Sequence, residues 1–202
     1  MLSKRVTTVR GLAVVLAATA VCLGSSQTTE YNGHWWLLQT SEEKSGYLVG
    51  DSDCYGFEFK AKAAYSKSIA EEQEYVTNVY RNNPDKRSAP VFDVIRAAEQ
   101  QPPSRKVPGG GEAWTEPHGY CDGQWWRGGN SADRIGFVEG YIACYARSPR
   151  VHGTFSKTPA EYVRLINQWY ILNEESGESD PSRVAAKIAD VLFKFRDHPD
   201  GR

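Results

Sequence analysis

The sequence predicts an all-α protein built from two tandem three-helix repeats that pack on each other. One segment recurs ninety residues later, and 8 of 23 positions are identical between 33–55 and 123–145. Apolar residues recur at helical spacing, and no stretch shows the period-two alternation of a strand. Because one repeat of about 70 residues would bury only a marginal core, we expect the two copies to pack together.

The repeated residues are mostly those that pack rather than those that react. They define a first helical repeat over 31–100, called copy one, and a second over 121–198, called copy two. A repeat of this kind must be recognised before other features are interpreted. The identities are Gly33/Gly123, Trp35/Trp125, Trp36/Trp126, Ser41/Ser131, Gly46/Gly136, Gly50/Gly140, Cys54/Cys144 and Tyr55/Tyr145.

Residues 1–25 have the composition of a secretory signal peptide. Lys4, Arg5 and Arg10 precede an apolar run over 11–24, which is shorter than the roughly 20 residues that cross a bilayer. Cys22 follows Val21 in a poor lipobox, so cleavage is favoured over lipidation. The sequence thus predicts a periplasmic or secreted protein without a membrane span.

Removal of this segment leaves 21 basic and 25 acidic residues, a net charge of −4. Mild acidity argues against nucleic acid and anionic membranes as partners. Three cysteines remain, and an oxidising compartment predicts one disulfide among them. Cys121–Cys144 is favoured because both lie in copy two, and Cys54–Cys144, across the two copies, is the alternative.

Each copy is predicted to contain three helices. The first begins at a capping box, Thr40-x-x-Glu43 or Asn130-x-x-Asp133, and the second at Ser68-x-x-Glu71 or Thr158-x-x-Glu161. The third follows Pro90 in copy one and Pro181 in copy two, where Val184, Ile188, Val191, Leu192 and Phe195 would line one face. The Pro- and Gly-rich stretch 101–115 between the copies is predicted to be a linker.

Two glycines share one face of the first helix in each copy. Gly46 and Gly50, like Gly136 and Gly140, are spaced i, i+4, although glycine costs about 1 kcal/mol relative to alanine inside a helix. Close approach of another backbone is the favoured explanation, and a ligand groove floored by backbone is the alternative.

The tryptophan pairs, Trp35-Trp36 and Trp125-Trp126, stand just before the first helices. Large aromatic residues here would seal the end of a helical core. The alternative is an aromatic platform for a peptide or a sugar, or a hot spot for a protein partner.

No catalytic set, metal site or cofactor motif is found. The four histidines are scattered, and Asp51-Ser52-Asp53 fails as a calcium loop because no bidentate glutamate closes it. Glu139, inside the second glycine-rich helix, is the one carboxylate predicted to be partly buried, and copy one has Val49 at that position. The sequence therefore predicts a non-enzymatic protein, with a hydrolase that uses Glu139 as an alternative.

The helix 131–145, with its G-F-V-x-G-Y-I-x-C core, and the segment 158–195 resemble the Rap1a/Tai-type immunity proteins of type VI secretion. The stretch Tyr80-Arg81-Asn82-Asn83-Pro84 looks like the end of that family's penultimate helix. The resemblance implies a small exported helical domain that covers the active site of a cell-wall-degrading toxin. The chain departs from the family in having two copies and in lacking a second cysteine in copy one.

We therefore expect an exported domain that binds a partner protein, with immunity to an effector enzyme as the specific hypothesis. The alternative is a periplasmic ligand-binding module that uses the cleft between the copies and its tryptophans.

Overall fold

A computed structural model describes residues 31–59, 67–99, 121–149, 153–171 and 184–197. The regular secondary structure within these ranges is helical and includes no strand, so the predicted all-α class is confirmed. The predicted signal peptide 1–25 and linker 101–115 lie outside the described residues.

Each copy contains four α-helices in the described ranges, not the three predicted. In copy one these are α1 (Gly33–Leu38), α2 (Ser41–Phe59), α3 (Ile69–Asn82) and α4 (Val91–Glu99), with a 3₁₀ turn at Pro84–Ser88. In copy two they are α5 (Gly123–Gly128), α6 (Ser131–Tyr145), α7 (Pro159–Ile171) and α8 (Ile188–Lys194). The additional helix is the short one that carries each tryptophan pair.

The predicted helix starts hold at the capping boxes. The side chains of Ser68 and Asn130 each accept the backbone N–H of residue N3. Their own backbone N–H groups donate to the N3 carboxylate. The short helices have their own caps, because Asn32 and Asp122 each accept two backbone N–H groups of the next turn. The last helix begins later than predicted, at Ile188, so Val184 precedes it and does not belong to its face.

The centre of the molecule is the contact between α2 and α6, the most extensive helix–helix contact in the described structure. A Cβ on any of the four repeated glycines would overlap backbone atoms of the opposite helix. The pairs are Gly46 with Asp133, Gly50 with Phe137, Gly136 with Glu43 and Gly140 with Tyr47. The glycines therefore serve backbone-to-backbone packing, the arrangement that small residues spaced four apart permit.

These contacts are reciprocal under the ninety-residue offset, as a pseudo-twofold axis between the copies requires. In each pair the glycine meets the residue three positions earlier in the equivalent helix, so α2 and α6 run parallel. Cys54 and Cys144 are themselves equivalent, and they form the disulfide with Cα atoms 6.1 Å apart. The Ser148 hydroxyl likewise donates to equivalent Glu58, at 2.7 Å.

The favoured pairing of Cys121 with Cys144 is wrong, and the alternative, Cys54 with Cys144, is the one observed. Parallel packing of α2 on α6 brings equivalent positions together across the axis. Cys121 instead precedes α5, where its carbonyl accepts the backbone N–H of Ile188 at 2.8 Å. Its side chain is buried in the core of copy two.

The same tertiary contacts occur in both copies outside the central pair. The indole N–H of Trp36 donates to Thr77, and that of Trp126 donates to Asn167. The glycine that opens each short helix lies against a tyrosine ring, Tyr80 or Tyr170. Each tyrosine hydroxyl then donates to a carbonyl before the last helix. The repeated sequence therefore encodes a repeated packing unit.

Gly140→Ala is expected to destabilise the fold although alanine favours a helix. The new methyl would overlap the Tyr47 carbonyl, and overpacking of this kind costs about 1–3 kcal/mol. The free energy of unfolding in urea should fall by that amount. Gly128→Ala is the matched control, because a Cβ there meets nothing within 4 Å. Equal stability of the two variants would contradict backbone packing at Gly140.

Loss of the disulfide is expected to lower the free energy of unfolding by about 2–5 kcal/mol, because it closes a loop with a sequence separation of 90. Cys54→Ser should show this loss in urea denaturation. Cys121→Ser should retain the disulfide, as measured by the mass of the alkylated protein. A Cys121→Ser protein with free thiols at both remaining cysteines would overturn the pairing.

Candidate functional site

The structure separates the predicted binding aromatics into two kinds. Trp36 and Trp126 are fully buried and hydrogen-bonded, so they belong to the core. Trp35 and Trp125 are partly exposed at the same end of the parallel helix pair. An aromatic platform made of adjacent tryptophans is therefore excluded, and one accessible indole remains in each copy.

Trp125 lines an open cleft of about 390 Å³ where copy two meets copy one. We call it the Trp125 cleft. Its lining residues come from α2, from α5 and from the start of α6, and they are Ser45, Gly46, Val49, Trp125, Gly128, Gly129 and Asp133. The volume lies in the range of small-molecule pockets.

Gly128 and Gly129 expose backbone to this cleft without a structural need for glycine. A Cβ on Gly128 meets nothing within 4 Å, and one on Gly129 would make only ordinary contacts of 3.4 Å or more. The φ of Gly129 is −75°, which any residue adopts. Glycine loses more conformational entropy on folding than other residues, and neither packing nor backbone conformation requires it at these two positions.

The equivalent place in copy one is occupied. The Tyr31 ring lies edge-on to Trp35, with centroids 5.0 Å apart. Near it the carboxyl groups of Glu43 and Glu139 lie beside each other at the contact between α2 and α6. Burial and the charges of these two carboxyl groups raise the pKa of Tyr31 above its ordinary value. The phenol and the carboxyl pair therefore interact electrostatically in copy one.

Glu139 is 7% exposed, and its pKa is raised to about 8. Burial is the largest cause, followed by the charge of Glu43 and the hydrogen bond between them. At neutral pH Glu139 is therefore largely protonated beside the Glu43 carboxyl group. Glu139 is buried in the contact between α2 and α6, whereas Glu43 is partly exposed.

Other buried charges serve the interior of copy one. Asp51 is fully buried and forms an ion pair with Arg96, whose guanidinium lies 3.7 Å from the centroid of the Tyr55 ring. Glu72, also fully buried, lies 3.5 Å from the Lys67 ammonium, and burial raises the pKa of Glu72 to about 7. Within the described ranges no cluster of three or more acidic, histidine or cysteine side chains could hold a metal ion.

A second cleft, of about 320 Å³, lies between α2 and α3. It is lined largely by polar and charged side chains: Ser41, Lys44, Ala70, Gln73, Glu74, Thr77, Asn78 and Arg81. Gln73 bridges its wall, accepting from Ser45 and donating to Ser41, both at 2.9 Å. The cleft presents neither an accessible aromatic ring nor exposed glycine backbone among these residues, so the Trp125 cleft is the better candidate.

Sequence reasoning identified Trp125 but missed the glycines and the carboxylate beside it. The signal lay in the repeat alignment, where copy one has Leu38, Gln39 and Glu43 at the positions of Gly128, Gly129 and Asp133. The sequence prediction used the residues that are identical between the copies and did not use these differences. In a duplicated fold, function can be found where the copies diverge.

Comparison of the chain with protein-family models, with curated protein sequences and with solved structures finds no match. Among the described helices, none combines the length and the hydropathy required to cross a bilayer.

The carboxyl pair makes stability depend on pH with a defined sign. The folded-state pKa of Glu139 is raised, so its contribution to stability is complete below about 4.5 and is lost as the pH rises to about 8. Glu139→Gln, whose amide can also donate to Glu43, should become increasingly more stable than the wild type over this window. Urea denaturation from pH 4.5 to 9 measures the difference.

Glu72→Gln provides the comparison, because its window should end nearer pH 7. Parallel pH curves for Glu139→Gln and the wild type would show that Glu139 ionises normally in the folded protein.

Proposed function

We propose that this chain is an exported, non-enzymatic binding protein that recognises a partner protein through the Trp125 cleft. One observation carries the proposal: the cleft combines a partly exposed indole with glycine backbone that packing does not require. Exposed aromatic rings beside accessible backbone are typical of recognition sites, because the ring supplies apolar contact area and the backbone supplies hydrogen bonds.

Export is supported by two independent features. The segment 1–25 has the charged and apolar regions of a signal peptide. The pair Cys54–Cys144 links two helices at the centre of the fold, and such structural disulfides persist in oxidising compartments. Both features support a periplasmic or secreted location.

Immunity to a cell-wall-degrading effector is the specific form of the proposal. It rests on the resemblance of 131–145 and 158–195 to the Rap1a/Tai-type immunity proteins, and fold similarity alone would not assign that role. The Trp125 cleft would engage the effector, and the rest of the domain would obstruct access to the effector's active site.

A hydrolase that uses Glu139 is the weaker alternative. The side chain is 7% exposed, and its carboxyl group lies beside Glu43 at the contact between α2 and α6. A general acid must reach the proton acceptor of its substrate within hydrogen-bonding distance. The proposal therefore assigns Glu139 to the contact between α2 and α6. A small-molecule binding module remains the second candidate, supported by the volume of the cleft.

Filling the cleft should abolish binding without unfolding the protein. Gly129→Gln introduces the residue that copy one carries at Gln39, in a backbone conformation that accepts it. Mature wild-type protein used as bait in periplasmic extract should capture a stoichiometric partner protein, and Gly129→Gln should retain less than about a tenth of it. Leu38→Ser is the matched control, because Leu38 is 84% exposed at the position equivalent to Gly128.

The captured protein should have cell-wall-degrading activity that the wild-type bait inhibits. Equal capture by Gly129→Gln and the wild type would place the interface elsewhere. Turnover of a cell-wall fragment by the isolated chain, lost in Glu139→Gln, would overturn the non-enzymatic assignment.

A further inference from the structure

The open cleft and the closed site in copy one are the same place in two copies of one fold. The contacts of the repeated glycines relate them by the ninety-residue offset. Gly46 and Trp125 of the cleft correspond to Gly136 and Trp35 in copy one. A comparison of the residues that differ therefore shows what the cleft lacks.

At every position that differs, the cleft has the shorter side chain. Five of these positions line the cleft, and the sixth, Cys121, stands where copy one has Tyr31. The pairs, cleft residue first, are Ser45/Ile135, Val49/Glu139, Gly128/Leu38, Gly129/Gln39, Asp133/Glu43 and Cys121/Tyr31. The largest difference is the phenol of Tyr31, which in copy one packs against Trp35 and also lies 5.9 Å from the ring of Tyr47.

The polar group that would meet a phenol is kept in the cleft. Asp133 is the charged residue of the lining, and it stands at the position of Glu43, whose charge contributes to the raised pKa of Tyr31 in copy one. Its Oδ2 accepts the backbone N–H of Asn130 at 3.0 Å, while its Oδ1 accepts no hydrogen bond from the described part of the chain. A carboxylate of this kind favours a hydrogen-bond donor and disfavours an anion.

We propose that the Trp125 cleft binds an exposed tyrosine side chain of the partner protein, in the place that Tyr31 takes in copy one. The ring lies edge-on to Trp125, and the phenol O–H donates to the Asp133 carboxylate. The glycine backbone of 128–129 gives the partner's main chain room to pass. This assignment rests on the proposed binding function, and it adds the chemical class of the anchoring residue.

N-acetyl-L-tyrosinamide is the probe, and N-acetyl-L-phenylalaninamide is its control without the hydroxyl. Titration of the mature protein, followed by NMR of the tryptophan indole N–H signals, should shift the signal that Trp125→Phe removes. The tyrosine amide should bind about tenfold or more tightly than the phenylalanine amide, because the hydroxyl gains a hydrogen bond to a charged group. Asp133→Asn should reduce that preference.

Three variants keep the experiment decisive. Cys121→Tyr supplies the missing ring from within the chain and should lower the affinity for the probe at least tenfold. Gly129→Gln should do the same if Cys121→Tyr does not fold. Tyr31→Ala removes the ring from copy one and should create a second site for the probe there. The variant should be less thermally stable than the wild type, and addition of 4-methylphenol should restore part of that stability.

Saturation at one site with the stated preference supports the proposal. Equal affinity for the two amides overturns it. The absence of binding of either amide also overturns it when the Tyr31→Ala variant binds 4-methylphenol. Capture of a partner that depends on the cleft would still support the proposed function in that case, so the two failures are distinguishable.

Discussion

The backbone contact between α2 and α6 is the constraint on which the rest of the structure depends. Four glycines at equivalent positions allow the two helices to meet without intervening side chains, so their register and parallel direction are fixed by steric fit. The disulfide Cys54–Cys144 and the hydrogen bond from Ser148 to Glu58 then join equivalent residues near the axis. Two hydrophobic clusters surround this central pair, one formed mainly by each copy, and residues such as Phe92 and Ala143 belong to the cluster of the other copy.

A parallel central pair also decides where the two candidate sites lie. Because α2 and α6 begin at the same end of the molecule, both accessible tryptophans and both first turns are gathered there. Antiparallel packing of the same helices would have placed them at opposite ends. Two equivalent sites on one end could diverge, and here one is closed by Tyr31 and Glu139 while the other is open beside Trp125. The pseudo-symmetry of the fold thus provides the framework, and the residues that differ between the copies form the candidate site.

Much of the fold could be predicted from the sequence because helix caps, apolar periodicity and the repeat are local signals. The glycine faces were predictable as packing surfaces, since two glycines per helix require a reason. The disulfide was not, because its pairing across the axis depends on the parallel packing of α2 on α6, which no local signal specifies. The short helices were missed because six residues with two tryptophans carry no periodicity. Gly128 and Gly129 differ from the equivalent Leu38 and Gln39, but only the contacts showed that packing does not require glycine there.

The two copies differ in how the equivalent place is filled. Copy one has an aromatic contact between Tyr31 and Trp35 and the adjacent carboxyl groups of Glu43 and Glu139. Copy two forgoes both and exposes glycine backbone, although residues that would close its cleft are present in the other half of the same chain. Stabilising substitutions are usually easy to find, and their recurrent cost is lost function. An open cleft whose equivalent in the same chain is filled by Tyr31 therefore supports the binding site proposed above.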